Sequence, residues 1–273
     1  MKNVIRRNGL NSLPTEVQPL LTEYIHHIKQ IFGEKLIGVY LFGSIALDAF
    51  DSNSDIDFVT VISSPMTDIE ETVINEIHRS LHKMYPSLTM DGGYVGTEEL
   101  LRIGEVESIH PMINGIELLQ GSILNPVTGW ILQNHGIIVI GSDVLIGRIN
   151  VTTDQLVHYV NVNMKNYWKP RFEYVKAIPL EQTNTREIDE EIEWFLLGIS
   201  RQFYTLREGG IISKVASGYY MTQHFPKHAT ILNEAIRIRS KSEEKSYYES
   251  EQERFHAAIR FIEDVLTATC GNK

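Results

Sequence analysis

Two carboxylates, Asp55 and Asp57, stand one residue apart in the stretch YLFGSIALDAFDSNSDIDFVTV, beginning eleven residues after Ser44 of a Gly43-Ser44 pair. In an extended strand, residues i and i+2 point to the same face. The two carboxylates therefore project side by side, and Ile56 between them turns toward a core. Like charges held that close repel unless a divalent cation lies between them. Hard oxygen ligands at this spacing suit Mg2+, which keeps waters and takes one or two carboxylates together with substrate phosphates. Gly43 lets the backbone approach a ligand closely, and the Ser44 hydroxyl with neighbouring N–H groups can hold phosphate oxygens. Ser54, which opens the Ser-Asp-x-Asp run, is assigned to the same phosphate-binding set. A lone Asp-x-Asp pair is common on solvated strands and turns. The succession of strand, Gly-Ser turn and Ser-Asp-x-Asp strand is far more restrictive, and it predicts a metal and phosphate site.

These residues need a sheet to hold them. Residues 16–32 carry Leu20, Leu21, Tyr24, Ile25, Ile28, Ile31 and Phe32 at helical spacing. LIGVYLFG after Gly33 reads as a buried strand, and DIDFVTVIS (55–63) as a second. Residues 67–85 return to a helical period. SLTMDGGYVG reads as a third strand, with Gly92-Gly93 either interrupting it or marking a close backbone approach. This alternation predicts an α/β sheet unit. NHGIIVIGSDV (134–144) reads as a further short strand and turn. From about residue 151 the pattern changes: segments 154–177, 187–208, 211–222 and 246–268 read as helices, with breakers at Pro170, Pro179, Gly209-Gly210 and Pro226. This half is a helical bundle with little strand content. The expected domains are 1–150 and 151–273. The charged run at 241–254 reads as a solvated helix face or loop. His224 and His228, with Pro226 between them, read as surface residues.

The composition excludes several classes of function. With 273 residues, 42% of them apolar, the chain can build a core and lacks the signature of disorder. Its 25 Lys and Arg against 35 Asp and Glu leave a net charge of −10. That balance argues against general nucleic-acid binding and favours the approach of a cationic small molecule. No apolar stretch reaches the ~18 residues that would span a membrane. The basic residues of MKNVIRRNGLNSLP precede no apolar run, so they do not read as a secretory signal. The single cysteine, Cys270, rules out intrachain disulfides and a cysteine-based zinc site and points to a reducing cytoplasm. A self-contained two-domain chain makes a monomer the default.

The spacing of Gly43-Ser44 and Asp55-Ile56-Asp57 resembles the signature of the DNA polymerase β-like nucleotidyltransferase superfamily. Nearly the whole chain resembles the bacterial aminoglycoside nucleotidyltransferases of the streptomycin/spectinomycin adenylyltransferase type. REGGIISKVASGYY (207–220) is similar to that group's Gly-x-Ile-x-x-Lys segment, and FLLGISRQFYTL to the helix before it, with Arg201 thirteen residues ahead of Lys214. The resemblance implies an α/β nucleotidyltransferase domain, a mixed sheet with helices, followed by an all-α helical domain. It implies Mg2+-dependent transfer of AMP from ATP to a hydroxyl of an aminoglycoside or aminocyclitol antibiotic, with release of pyrophosphate, in a cleft between the domains. Two Mg2+ ions ~4 Å apart can serve such an in-line displacement, and Asp55 and Asp57 would hold them. Asp91, the acid of the neighbouring strand, takes the place of the general base or third metal ligand, where relatives usually carry Glu. Glu98 and Glu99 are the fallback acids. Lys214 and Arg201 take the triphosphate. In TREIDEEIEW, with Glu187, Asp189, Glu190, Glu191 and Glu193, Glu191 stands where an acid of relatives contacts the drug. Trp194 on the same face would pack on a sugar ring. Asp48 replaces a Gly common in relatives, a position that an Asp tolerates if φ is positive. A tyrosine that helps hold adenine in relatives is replaced near Arg239. These departures imply a diverged member of the group, with an acceptor of the spectinomycin or streptomycin class. The alternative is a nucleotidyltransferase-fold protein that modifies or regulates a macromolecular partner, antitoxin-like; such proteins are usually short, whereas this chain carries its own helical half.

Overall fold

A computed structural model describes residues 6–105, 108–177 and 184–270; the breaker proposed at Pro179 lies outside them. The chain forms two compact units, Met1–Thr152 and Thr153–Lys273.

In the first unit, α1 (Gln18–Phe32) leads to β1 (Leu36–Leu41), a short turn of helix α2 (Gly43–Ala46) and β2 (Ile56–Ile62). Then follow α3 (Asp68–Met84), β3 (Met90–Gly96), α4 (Thr97–Leu101), β4 (His110–Gly115) and β5 (Glu117–Gly121). α5 (Pro126–His135), β6 (Ile137–Ile140) and α6 (Asp143–Ile146) complete it. The strands form one sheet in the order β5-β4-β3-β2-β1-β6, with β2 and β3 parallel and the other neighbours antiparallel. One face packs on α1 and α3. There the Tyr24 hydroxyl lies 2.6 Å from Thr60 Oγ1 and donates to the Tyr94 hydroxyl, which lies 2.7 Å from His78 Nε2. All four side chains are buried, so each polar group needs the partner it has. Burial holds His78 neutral, its pKa lowered to about 3. Thr60 shares its face with Phe58 and Ile56, which leaves Asp57 on the opposite face.

The hairpin β4–β5 and helix α5 were not anticipated. Both strands lie toward one edge of the sheet and are only partly buried, so their alternation is weak. Helix α5 did carry a start signal: the Asn125 side chain accepts from the N–H groups of Val127 and Thr128, and Pro126 occupies the first turn.

The second unit is helical: α7 (Thr153–Asn163), α8 (Lys169–Lys176), α9 (Thr185–Glu208), α10 (Lys214–His224), α11 (Ala229–Arg239) and α12 (Glu251–Cys270). Pro170 does not break its helix. A π-helical stretch, Met164–Trp168, joins α7 to α8, and Pro170 falls in the first turn beyond it. The wider turn accommodates a ring that has no N–H to offer an ordinary ladder. Helix α11 is an addition to the expected set. His228, expected at the surface, is buried, with Nε2 2.6 Å from the Asp264 carboxylate and its ring against Phe261. The run at 241–254 is a largely exposed loop leading into α12, as its charge suggests; Ser246 Oγ and the Tyr247 N–H fasten it by donating to Glu234 at 2.8 and 3.1 Å, and α12 starts at Glu251 rather than 246. No helix among the described residues is long and apolar enough to cross a membrane.

Candidate active site

Strand register gathers the acids of the first unit. Asp57 and Asp91 are partners across the parallel pair β2–β3, and Asp55 lies two residues before Asp57. Asp55 is exposed, Asp57 and Asp91 half-buried and Ile56 fully buried, as the alternation requires. Burial and then the charge of Asp55 push the Asp91 carboxyl up to about 6, against an opposing hydrogen bond from the Gly92 backbone. Gly92 allows β3 to run unbroken: a Cβ there would stand 2.1 Å from the Phe58 carbonyl oxygen. The close-approach reading of Gly92-Gly93 is therefore the right one.

The antiparallel strand β1 ends beside the start of β2, and the Phe42 N–H donates to the Asp57 carbonyl at 3.0 Å. The chain then turns at Gly43 with φ +63°, and a Cβ at this position would lie 1.7 Å from Asp57 Oδ2. Only glycine brings backbone this close to the carboxylate. The Ser44 Oγ is buried and has no hydrogen-bond partner. Beyond it, Asp48 adopts φ +55° and pairs with Arg7 at 2.8 Å. Arg7 also donates to the carbonyls of Ile45 and Ala46, closing the end of α2. The position does need positive φ, and Asp supplies it with an anchor. Ser54 donates to Asp51 Oδ1 at 3.1 Å within the 51–54 turn. Glu99 accepts from the Gly96 N–H at 2.7 Å, which makes it a cap of α4, while Glu98 is exposed in the same turn. Among the described residues, no three acidic, His or Cys side chains are already drawn into a cluster that could hold a metal ion.

The second unit has its own cationic group. Lys214 begins α10, after Ser213 has accepted from the Ala216 N–H. It donates to Glu193 Oε1 at 3.1 Å, and Arg239 reaches the same oxygen at 3.4 Å. Burial holds the Lys214 ammonium below its usual range, with the Arg239 and Arg201 charges adding to the shift and Glu193 opposing it. Arg201, one of the two expected clamps, thus acts on Lys214. Arg239 is a member that sequence reasoning did not assign, because it closes the unanticipated α11; a basic residue in a last helical turn was the available signal. Glu191 pairs with Arg171, and Trp194 stacks on Trp168 with ring centres 5.1 Å apart and planes at 25°.

The mixed sheet whose register joins Asp57 to Asp91 beside a Gly-Ser turn falls within a nucleotidyltransferase domain. Residues 22–108 match the nucleotidyltransferase domain family, and residues 162–264 match the aminoglycoside adenylyltransferase C-terminal domain family. The chain thus carries a nucleotidyltransferase domain and, after it, the C-terminal domain of aminoglycoside adenylyltransferases. Its fold is similar to the crystal structure of spectinomycin adenyltransferase AAD(9) from Enterococcus faecialis with ATP and spectinomycin, with a TM-score of 0.67 and 16% identity over 91% of this chain and 98% of that one. No curated protein sequence matches the chain.

Proposed function

We propose that this chain transfers AMP from ATP to a hydroxyl of a cationic aminoglycoside or aminocyclitol antibiotic and releases pyrophosphate, as a cytoplasmic monomer. The observation that carries this reading is the half-buried Asp91 aligned with Asp57, next to a backbone turn that only glycine can make. The orphaned Ser44 hydroxyl and the close approach of the Gly43 backbone to the Asp57 carboxylate suit a triphosphate and its counter-ion. Asp55, Asp57 and Asp91 would hold Mg2+, which when bound offsets the triphosphate charge and stabilises the attacking and leaving oxygens.

Asp91 takes the proton of the attacking hydroxyl at a carboxylate oxygen, as the general base. The freed oxygen attacks the α-phosphorus as the bond to the bridging oxygen of pyrophosphate breaks. Ser44 and the Gly43 backbone hold phosphate oxygens on one side, with Ser54 in the 51–54 turn that leads into β2. Lys214, Arg201 and Arg239 take the charge of the departing pyrophosphate. Glu191 and Trp194 seat the cationic acceptor.

The test is pyrophosphate release from Mg2+-ATP in the presence of a panel of aminoglycosides and aminocyclitols. Release that depends on one or more of them is expected. No release with any of them, together with AMP transfer to a protein or RNA, would replace this reading with a macromolecular one.

A further inference from the structure

We propose that Arg7 is a positioning residue for the nucleotide: its guanidinium, together with an Asp48 backbone kept at positive φ, holds the Gly43-Ser44 turn in the shape that receives phosphate. The inference rests on the reading that this turn meets the triphosphate, and it adds what keeps the turn in place.

Helix α2 runs for four residues, too few to be stable without help from outside. Its carbonyls show where the help comes from. The Leu47 N–H donates to the Gly43 and Ser44 carbonyls at 3.2 and 3.1 Å, and the Ala49 N–H donates to the Ser44 carbonyl at 3.0 Å. The bond from Ala49 needs a left-handed residue just before it, and Asp48 supplies one with φ +55°. The carbonyls of Ile45 and Ala46 remain. Arg7 Nη2 donates to both, at 2.7 and 3.1 Å, and Nη1 meets Asp48 Oδ1 at 2.8 Å. One guanidinium thus serves the two acceptors that the backbone leaves open and the side chain of the left-handed residue.

Arg7 is itself anchored. Its carbonyl accepts from the Ile138 N–H at 3.1 Å, and the Gly9 N–H donates to the Ile138 carbonyl at 2.9 Å, so residues 7–9 lie along β6. Strand β6 pairs with β1, whose last residue, Leu41, stands opposite Ile137. Arg6 adds a second fastening through Asp143 and the Gln133 carbonyl. The support therefore springs from the sheet that carries Asp57 and Asp91. The Asp48 side chain is 80% exposed, and an ion pair so exposed contributes little by itself. The part-buried carbonyls weigh more, because an acceptor stripped of its donor is costly. Without Arg7, Asp48 is free to fall back to negative φ. The Ala49 N–H then leaves the Ser44 carbonyl, and Ser44 moves with its buried, unpartnered hydroxyl.

Equilibrium dialysis of Mg2+-ATP without acceptor tests this, well below the thermal transition of every variant, where a role in stability alone leaves affinity unchanged. Arg7→Met is expected to weaken ATP binding by about tenfold. Adding Asp48→Gly to it is expected to restore affinity to within about threefold of wild type, because glycine keeps positive φ with no anchor. Asp48→Val, whose branched side chain resists positive φ, is expected to weaken binding by about tenfold with Arg7 in place. Arg7→Lys, which keeps the charge and loses the fork, is expected to weaken it by about threefold and serves if the methionine variant fails to fold. Wild-type affinity in both Arg7 variants overturns the proposal, as does a double variant that binds no better than Arg7→Met. The two readings separate. An Arg7 effect rescued by Asp48→Gly, with no pyrophosphate release toward any acceptor, removes the proposed reaction and leaves Arg7 its role. Transfer with no Arg7 effect removes that role alone, and wild-type protein that binds no ATP removes both.

Discussion

The first unit lines up Asp55, Asp57 and Asp91 at one end of a sheet, whereas the second spreads five acids along the start of α9. On the strands, backbone pairing forces carboxylates together whatever their charge; burial, and then the charge of Asp55, push the Asp91 carboxyl up to about 6. Along the helix each residue turns about 100° from the last, so the acids face different directions and each can find its own cation. The consequence shows at Glu234 of α11, which the same bundle surrounds with Arg237, Arg254, Ser246 and the Tyr247 N–H. Those hydrogen bonds outweigh the cost of its burial and pull its pKa down to about 2. A sheet can hold like charges in an unfavourable array that a ligand relieves; a bundle relieves them itself.

Substitutions can break or sharpen this contrast. Asp57→Asn is expected to cut pyrophosphate release by at least about a thousandfold with little change in thermal unfolding. An unfolding transition lowered as much as activity would make the acid structural. Glu234→Gln is expected to do the reverse, costing on the order of 3 kcal/mol in urea unfolding because it leaves buried arginines without their counter-charge. The lowered pKa fixes the sign of its pH dependence. The stabilisation is complete above the ordinary glutamate range and is lost as pH falls from about 4.5 toward about 2. The gap between wild type and variant should therefore narrow between pH 5 and pH 3.

Gly43→Ala is expected to lower kcat/KM by about a hundredfold, since the new methyl must displace the Asp57 carboxylate. Lys214→Met is expected to raise the KM for ATP by roughly tenfold and leave acceptor binding intact, as equilibrium dialysis would show. Glu187→Ala, which removes a cap and touches no cluster, is expected to cost about 1 kcal/mol without changing turnover.

What could be read from the sequence follows the same division. Asp55, Asp57, Gly43 and Ser44 were legible because their geometry is local: period-two alternation and one tight turn place them. The helical half was legible as a class, since α9 carries a 3.6-residue stripe of Ile188, Ile192, Phe195, Ile199 and Phe203. Its interior pairings were not. The partner of Glu191 lies twenty residues upstream, and Asp264, which meets His228, lies thirty-six residues downstream of it. Such distances carry no periodic signal. Helix α11 was missed because buried Glu234 and Arg239 interrupt its apolar pattern, and their burial depends on partners in other helices.

The π-helical stretch at Met164–Trp168 gives the second unit a means of adjustment. Deleting one residue there would restore ordinary helix and swing everything in α8 through about a quarter of a circle. Arg171 would leave Glu191, while the start of α7 kept its footing. An insertion or deletion of a single codon could thus re-pair the charges of this unit without substituting any residue of the pair.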